Sequence, residues 1–201
     1  MAVNIFQIYL TDKNEELPKF LKKTTYSIDS SFKDANHLIY DNATLRSFIR
    51  KYYDNDVLWA YDTLKPYSYK SDLGRFCLLY QLGGWYFDIA IEATMNPKIP
   101  KDIDMVSFRD EQRHSRNSWS VAGGVIYSKK NNDILLTAIQ DIVRNCHEKW
   151  YGRTPLCPTG PSLLGEAIAK RNRNKKIIFG DLIRPMIPFT RKNFPFFKNI
   201  I

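Results

Sequence analysis

Short apolar runs alternate along this chain with longer segments in which apolar residues recur every three or four positions. Short runs rich in β-branched and aromatic residues are typical of buried strands, and the longer recurrence is typical of amphipathic helices. The runs predict strands over residues 3–10, 37–40, 85–91, 104–108, 122–127 and 175–179. The recurrence predicts helices that begin near residues 15, 42, 56 and 71, a long helix that includes residues 135–146, and a helix over 161–170.

This alternation of strands and helices favours an α/β fold with a mixed or mostly parallel sheet. The 201 residues contain no internal repeat and no low-complexity linker, and their number suits one sizeable core. We therefore interpret residues 1–201 as a single domain. No run approaches the ~18 consecutive apolar residues of a membrane-spanning helix. The first residues also lack the cationic segment and long apolar run of a secretory signal, so we expect a cytoplasmic protein.

Composition adds a preference for an anionic partner. The chain has 30 Lys and Arg against 21 Asp and Glu, which gives a formal net charge of +9. Such a charge favours nucleic acid, an anionic lipid surface or a phosphate-bearing small molecule. The basic residues are scattered and form no recognition motif, which argues against nucleic acid. The three cysteines and three histidines show no zinc-ligand spacing, so we expect no structural metal site.

Candidate chemistry lies where Gly83 and Gly84 lead into an apolar run that carries Asp88. Side chains alternate along a strand, so Asp88, Ala90 and Glu92 would share one face. Ligands of open α/β sheets gather at the carboxyl ends of strands. Asp88 and Glu92 together could supply oxygen ligands to a hard cation there. The alternative is that Glu92 leaves the sheet into solvent.

A polar pair opens the predicted helix before this strand. Asp72 and Arg75 are three positions apart and therefore lie on one side of a helix. One interpretation is an acid near the positive end of the helix dipole, with an unrelated Arg nearby. The other is a polar pair aimed at a bound hydroxylated ligand. The spacing alone does not choose between them.

Residues 71–88, Ser-Asp-Leu-Gly-Arg-Phe-Cys-Leu-Leu-Tyr-Gln-Leu-Gly-Gly-Trp-Tyr-Phe-Asp, resemble the central signature of glycosyltransferases whose sugar-binding region contains a DXD motif. That signature reads Ser-Asp, Arg, a helix, Gly-Gly, an aromatic strand and then Asp-X-Asp. The family includes bacterial lipopolysaccharide and capsule transferases, fungal mannosyltransferases and, more distantly, the glucosylating clostridial toxins. The resemblance implies a GT-A fold, which is a Rossmann-like nucleotide-binding sheet flanked by helices.

Flanking segments extend the resemblance to about residues 3–170. Residues 5–9, Ile-Phe-Gln-Ile-Tyr, are similar to the opening strand of the family, Ile-His-Gln-Ile-Trp. The Leu-Pro at 17–18 fits the Leu-Pro that follows that strand. Residues 121–129 resemble a later strand, and the Thr-Gly-Pro at 159–161 matches one that precedes a helix.

Carried over position by position, the resemblance assigns roles to several residues. It implies that Asp72 and Arg75 bind the donor sugar and that Asp88 is the first DXD acid, in contact with ribose, sugar or metal. The second acid, a direct ligand of a divalent cation in the family, is Ala90 here. Either Glu92 supplies the missing ligand, or basic residues neutralise the diphosphate, or catalysis has been lost. The resemblance also implies donor or nucleotide contacts from Gln7, Ile8, Tyr9, Gly83, Gly84, Thr159, Gly160 and Pro161.

The function that this resemblance implies is hexose transfer from a nucleotide-diphosphate sugar to a glycan or lipid-linked acceptor, with retention of anomeric configuration. It places the reaction in the synthesis of a bacterial surface polysaccharide or lipooligosaccharide. The suggested cofactor is Mn²⁺ or Mg²⁺, and the alternative groups for the diphosphate are Lys70, Arg109, Arg113 and Arg116.

Other hypotheses remain open at this point. Ala90 is compatible with a non-catalytic nucleotide-sugar or glycan-binding relative, and the net charge with a nucleic-acid-binding domain. The basic, aromatic tail of residues 184–201 could touch the anionic inner face of the cytoplasmic membrane, or it could pack on the core.

Overall fold

The computed structural model describes residues 2–12, 15–110 and 117–181. Within these residues the chain forms a six-stranded sheet in the order β2-β1-β3-β5-β4-β6, with helices on both faces. The strands are β1 (Asn4–Ile8), β2 (Asn36–Tyr40), β3 (Gly84–Phe87), β4 (Met105–Arg109), β5 (Val121–Ser128) and β6 (Ile177–Asp181). The helices are α1 (Lys19–Ser31), α2 (Asn42–Tyr52), α3 (Asn55–Thr63), α4 (Tyr67–Leu82), α5 (Asp133–His147) and α6 (Pro161–Arg171).

All strands of this described sheet run in one direction except β5. β1 pairs in parallel with both β2 and β3, and β4 pairs in parallel with β6. β5 lies antiparallel between β3 and β4. The carboxyl ends of the parallel strands therefore meet at one edge of the sheet, where open α/β sheets bind their ligands. The prediction of a mixed, mostly parallel α/β sheet is confirmed.

Apolar side chains cover both faces of the sheet. On one face Phe6 and Tyr86 pack against the side that carries α2 to α6. On the other face Trp85 and Phe87 stack with 5.5 Å between ring centroids and pack against Ile28 of α1. Burial of side chains of this size contributes roughly 1.5–3 kcal/mol each to folding. The alternation along β3 thus separates a purely apolar face from the face that carries Tyr86.

Local sequence signals set several helix ends. Asp41 accepts a hydrogen bond from the backbone N–H of Thr44 at 2.7 Å, and Thr44 reciprocates, which forms a capping box at the start of α2. Pro161 occupies the first turn of α6, where its missing N–H is not needed. Gly83 ends α4 with a φ of 66°, a left-handed conformation that glycine adopts without strain.

The helix that carries the polar pair begins earlier than predicted. α4 starts at Tyr67, directly after Pro66, and not at Ser71. Asp72 and Arg75 consequently lie in its second and third turns. Because the helix dipole acts mainly on the first turn, the interpretation of Asp72 as a dipole-stabilising acid is wrong.

The strand that leads to Asp88 ends sooner than predicted. β3 stops at Phe87, and the chain then turns, with the Ile91 N–H donating to the Asp88 carbonyl at 2.9 Å. Side chains beyond Phe87 no longer alternate across a sheet. The prediction that Asp88, Ala90 and Glu92 share one strand face is therefore wrong.

Several other boundaries shift slightly, and the predicted role of the tail remains untested. α1 begins at Lys19, after Pro18, and not near residue 15. β6 covers Ile177–Asp181, two residues later than predicted.

No helix within the described ranges is long and apolar enough to cross a membrane. The tail of residues 184–201 lies outside the described residues.

Candidate functional site

A cavity of about 630 Å³ opens at the carboxyl edge of the sheet. It lies between the end of β3, the middle of α4, the start of α6 and the loop before α6. This volume falls within the range of roughly 300–1,000 Å³ that is usual for small-ligand sites. The lining combines acidic, basic, hydroxyl and apolar groups. Its charged residues in the described part of the chain are Asp72, Arg75, Asp88 and Asp110.

Arg75 connects the elements that surround the cavity. Its Nη1 donates to the Gly123 carbonyl of β5 at 2.6 Å. Its Nη2 lies 3.2 Å from Asp72 Oδ1 and 3.5 Å from Asp88 Oδ1, and the side chain is only 8% exposed. Burial opposes the charge, but Tyr86 and the two carboxylates more than offset it and raise the pKa of Arg75. The guanidinium is therefore a permanent cation that ties both acids to the sheet.

Asp72 is the more buried of the two acids, with a side chain that is 13% exposed. Its Oδ2 accepts a hydrogen bond from Thr159 Oγ1 at 2.8 Å, while its Oδ1 faces Arg75. Burial raises the pKa of Asp72, and Arg75 and Thr159 work in the opposite direction. Each carboxylate oxygen can accept more than one hydrogen bond, so Asp72 retains capacity for a ligand hydroxyl.

Asp88 stands at the cavity edge with a side chain that is 46% exposed. Its Oδ1 accepts from the Tyr86 hydroxyl at 2.8 Å, and its backbone N–H donates to the Gly124 carbonyl at 2.8 Å. Burial raises the pKa of Tyr86, so this phenol stays protonated and donates. Within the described residues Oδ2 has no hydrogen-bond partner, which leaves it available to a bound ligand.

Two glycines of β5 allow these side chains to approach the sheet. A Cβ atom at Gly123 would lie 2.4 Å from Arg75 Nη1, and one at Gly124 would lie 2.9 Å from Asp88 Oδ2. Both distances are shorter than van der Waals contact allows. Glycine is needed here for space, as is common where a strand is approached closely by another group.

The family model that describes the glycosyltransferase sugar-binding region containing the DXD motif matches residues 10–110. That match spans half of the chain and includes α4, the turn after β3 and both acids that contact Arg75. The chain belongs to this glycosyltransferase family. The prediction made from the signature at residues 71–88 is thereby confirmed.

Relatives and solved structures agree with this assignment. An uncharacterised glycosyltransferase of Acanthamoeba polyphaga mimivirus is 22% identical over an alignment of 205 residues, which covers 98% of this chain and 78% of that protein. The solved PaToxG glycosyltransferase matches with a TM-score of 0.61 at 19% identity, over 84% of this chain and 69% of the other. A solved transferase mutant matches with a TM-score of 0.51 at 12% identity, over 84% of each chain. The structural matches confirm the predicted GT-A-type fold.

The glycosyltransferase fold brings together several residues that are distant in sequence. Asp72, Arg75 and Asp88 meet around one guanidinium. Thr159 reaches the same cluster through its hydrogen bond to Asp72, across 87 positions of sequence. Gly160 and Pro161 also line the cavity, at the start of α6. Their contacts with a donor remain predictions.

The β1 residues lie behind the cavity and do not line it. Gln7 is fully buried, and its Nε2 donates to the Asp88 carbonyl at 3.3 Å. Ile8 belongs to the apolar core, and the Tyr9 N–H donates to the Tyr40 carbonyl at 2.9 Å. The predicted nucleotide contacts of Gln7, Ile8 and Tyr9 stay predictions, but Gln7 already touches the turn that carries Asp88.

Gly83 and Gly84 lie at the opposite end of β3 from Asp88. A Cβ atom at Gly84 would lie 2.2 Å from the Asn4 carbonyl oxygen, and one at Gly83 would lie 2.7 Å from the Lys130 nitrogen. Both have positive φ, which is 66° at Gly83 and 118° at Gly84. Backbone packing accounts for these two glycines, and neither lines the cavity.

Glu92, the predicted second metal ligand, is engaged elsewhere. Its Oε1 lies 2.9 Å from Lys23 Nζ on α1, and Glu92 does not line the cavity. Ala90 does line the cavity but offers no ligand atom. The described residues contain no group of three or more His, Cys, Asp or Glu that could hold a metal.

The donor set nevertheless fits a cation that arrives with a diphosphate. Mg²⁺ is commonly held by one or two carboxylates together with substrate phosphates. Asp88 Oδ2 has no hydrogen-bond partner among the described residues and can serve as that carboxylate oxygen. The site therefore suits a donor-borne cation better than one bound by the protein alone.

The basic residues considered for the diphosphate divide into two groups. Lys70 Nζ donates to the Tyr61 carbonyl at 2.7 Å, and Arg109 pairs with Asp181 at 2.7 Å, so both are already engaged. The other two, Arg113 and Arg116, lie outside the described residues.

Sequence reasoning missed three contributors to this site. Tyr86 lies two positions before Asp88, so the strand that was predicted over residues 85–91 would already place both on one side. Glycines 123 and 124 inside a predicted strand were a recognisable sign of close approach. Residues 154–156, which form one wall of the cavity, carry no sequence signal that we can identify.

Proposed function

We propose that this glycosyltransferase moves a hexose from a nucleotide-diphosphate sugar to a glycan acceptor, with retention of the anomeric configuration. The observation that carries the proposal is the convergence of Asp72, Arg75 and Asp88 on one cavity at the carboxyl edge of the sheet. Carboxylates held in fixed directions are suited to accept hydrogen bonds from sugar hydroxyls. The nucleotide-sugar donor follows from membership of the family.

The protein residues have separable tasks in this reaction. Arg75 holds Asp72 and Asp88 in place and stays charged. Asp72 and Asp88 Oδ2 accept hydrogen bonds from the donor, while Thr159 and the Tyr86 hydroxyl restrict rotation of the two acids. Holding the donor in one orientation lowers the entropic part of the barrier to transfer.

Transfer breaks the bond between the anomeric carbon and the diphosphate oxygen, and the negative charge that develops on the diphosphate must be stabilised. A divalent cation, when bound, supplies this stabilisation as a Lewis acid. Asp88 is the residue that would hold it. Among the described charged residues of the cavity, Asp72, Asp88 and Asp110 outnumber Arg75. This excess of acidic residues among the described lining favours a donor that carries a cation.

The decisive experiment compares wild type with Asp88→Asn over a panel of nucleotide sugars, with hydrolysis and transfer as readouts. We expect one or more donors to be turned over, and Asp88→Asn to lower the rate about 100-fold or more. Asp62→Asn is the matched control, because Asp62 is an acid paired with Arg46 on the surface. Full activity of Asp88→Asn would overturn the assignment of Asp88.

A non-catalytic, nucleotide-sugar-binding role is the second candidate, and Ala90 is the observation that favours it. It predicts calorimetric binding of a nucleotide sugar with no turnover of any donor. Turnover that disappears in Asp88→Asn but persists in Asp62→Asn would exclude this candidate.

The acceptor, the stereochemistry and the biological setting are finer parts of the proposal. The resemblance to bacterial lipopolysaccharide and capsule transferases supports a surface glycan as the product. The anomeric proton of the product in an NMR spectrum reports retention or inversion directly, and inversion would refute the retaining mechanism. A screen of surface-glycan fragments as acceptors tests the setting, and transfer only to unrelated acceptors would argue against it.

A cytoplasmic location with peripheral contact to an anionic membrane extends the same proposal. Its support is the basic and aromatic composition of residues 184–201. Flotation with vesicles that contain an anionic lipid compares full-length protein with a variant that ends at residue 183. Equal binding of the two proteins would remove the tail from the proposal.

A further inference from the structure

A chain of polar contacts runs from the protein surface to the turn that carries Asp88. Asp29 Oδ1 on α1 lies 2.7 Å from His37 Nδ1 on β2. His37 Nε2 lies 3.0 Å from Gln7 Oε1 on β1, and Gln7 Nε2 donates to the Asp88 carbonyl at 3.3 Å. The side chain of Asp29 is 58% exposed and that of His37 is 9% exposed, while Gln7 is fully buried. These contacts therefore link solvent to the donor site through the partly buried side chain of His37 and the fully buried side chain of Gln7.

The backbone carbonyl of Asp88, at the inner end of this series of contacts, helps to fix the turn that follows β3. It also accepts the hydrogen bond from the Ile91 N–H that closes the turn after β3. Thr24 of α1 holds the next residue of the turn, with its Oγ1 donating to the Ile89 carbonyl at 2.5 Å. Tyr86 and Arg75 both contact Oδ1 of the Asp88 carboxylate, and the position of the Asp88 backbone in this turn sets where that carboxylate starts. Gln7 therefore influences where the Asp88 carboxylate points.

The donors and acceptors along the chain determine where protons must lie. The Asp88 carbonyl accepts only, so the amide nitrogen of Gln7 faces it and Gln7 Oε1 faces His37. The Asp29 carboxylate also accepts only, so His37 Nδ1 must carry a proton. Gln7 Oε1 requires a second proton, on His37 Nε2. Every contact is a hydrogen bond only when His37 carries both protons.

Loss of one proton from His37 removes one of its two hydrogen bonds, either the one to Asp29 or the one to Gln7. The remaining proton can serve Asp29 or Gln7 but not both. If Gln7 turns its amide nitrogen toward His37, its oxygen then faces the Asp88 carbonyl, and two acceptors repel. Either arrangement weakens the hold of Gln7 on the Asp88 turn.

The contacts of the His37 ring with the described residues include one charged side chain, that of Asp29. Among the described residues, Asp29 is the charged side chain within ion-pair distance of His37. The neighbour on β1 is the neutral amide of Gln7. On the other face of β2, Tyr40 packs edge-on against Phe48 of α2.

We infer that His37 is a positioning residue for Asp88, acting through Gln7, and that its double protonation favours the donor-binding geometry. The consequence for catalysis rests on the proposed function, but the coupling of His37 to the Asp88 turn does not. The coupling therefore makes donor binding depend on the protonation state of His37. Donor KM is expected to rise about tenfold as His37 loses its proton, as for the loss of one hydrogen bond to a charged group.

An NMR titration of the isotope-labelled full chain without donor tests the coupling. We expect the Gln7 side-chain amide and the backbone amides of Ile89 and Ile91 to change with the same midpoint as the His37 ring. The surface variant Asp29→Asn removes the carboxylate that lies 2.7 Å from His37 Nδ1 and leaves the histidine itself in place. It should change the resonances of the Gln7 side-chain amide and of the turn.

The matched control is Asp56→Asn, which removes the carboxylate 3.9 Å from the other paired histidine, His147. It should leave the Gln7 and turn resonances unchanged. Turn resonances that do not change together with the His37 ring, or that Asp29→Asn leaves unchanged, would overturn the inference.

Kinetics separate failure of this inference from failure of the proposed function. Coincident midpoints without turnover of any nucleotide sugar would refute the function and leave the coupling intact. Turnover with a donor KM that is independent of pH and of Asp29→Asn would refute the positioning role and leave the function intact. A rise in KM that follows the His37 midpoint, with little change in kcat, supports both.

Discussion

The two ends of β3 have similar prominence in the sequence but serve different purposes in the structure. At the amino end, Gly83 and Gly84 have positive φ and lie against the backbone of neighbouring strands and turns. At the carboxyl end, Asp88 is half-exposed and contacts side chains that lie around a cavity. The first end is constrained by backbone atoms that cannot move, and the second by side chains that can. A single motif therefore contains residues needed for folding and residues placed for chemistry.

This difference teaches how to interpret the family signature. The glycine pair and Asp88 are separated by one short strand. A sequence signature that covers this strand therefore includes the residues at both of its ends. Only the packing around each end shows which residues a ligand can reach. Substitutions at the two ends should consequently change different measurements, and the following predictions separate them, from the largest expected effect to the smallest.

The largest effect is expected from Gly84→Ala at the amino end. The new Cβ atom would lie 2.2 Å from the Asn4 carbonyl oxygen, in a residue whose φ is 118°. Strain and the backbone clash together should lower the free energy of unfolding by about 3 kcal/mol or more. Chemical denaturation measures this loss. A variant with wild-type stability would show that β1 and β3 can separate without cost.

The matched substitution at the carboxyl end is Gly124→Ala, and we expect it to affect activity more than stability. Its Cβ atom would lie 2.9 Å from Asp88 Oδ2, which is the end of a partly exposed side chain that can move aside. Unfolding should change by about 1 kcal/mol or less. Displacement of the carboxylate should lower kcat/KM for the donor by about tenfold to 100-fold. Wild-type kinetics would contradict the placement of Asp88 in the donor site.

Cation binding should depend on the donor diphosphate. Calorimetry should show weak binding of Mn²⁺ alone and about tenfold tighter binding with a nucleoside diphosphate, with a reciprocal gain for the nucleotide. Asp88→Asn should remove this coupling because it removes the proposed ligand. Glu92→Gln should retain it, since Glu92 pairs with Lys23 outside the cavity. Loss of the coupling between cation and diphosphate in Glu92→Gln would instead identify Glu92 as a cation ligand.

The smallest effect concerns the pH dependence of stability at Asp72. Burial raises the folded-state pKa of Asp72 above its unfolded value, so the folded protein binds this proton more tightly. The contribution to stability is fully present below the unfolded pKa and is lost as the pH rises through the folded pKa. Wild type should therefore lose stability relative to Asp72→Asn as the pH rises above about 4. Denaturation curves at several pH values measure the difference, and a difference that stays constant would contradict the raised pKa.

The sequence predicted the elements of this fold well, and its errors have local causes. Strands and helices were predicted in the correct order because their hydrophobic periods are distinct. The end of β3 was misplaced because the apolar positions Ile89 and Ile91 continue the strand pattern. In the structure, Thr24 of α1 holds the Ile89 carbonyl in a turn. A neighbour 65 positions away cannot be inferred from a local pattern.

The candidate site was predictable in part. The spacing of Asp72 and Arg75 places them on one side of a helix whatever its first residue is. Family resemblance linked them to Asp88, and the structure brings all three together. The role of Glu92 was not predictable, because it depended on a strand that ends four residues earlier.

The sequence by itself determined the α/β class of this protein, the helical pairing of Asp72 with Arg75, and the end of α4 at the glycine pair. These follow from hydrophobic period, helix geometry and backbone conformation, which act between near neighbours in the chain. The tertiary structure alone decided that Glu92 faces Lys23, that Thr159 reaches Asp72, and that Gln7 connects His37 to Asp88. The physical reason is that hydrogen bonds and ion pairs depend on atoms within about 3 Å of each other. Only the packing of helices on the twisted sheet brings such distant positions into contact.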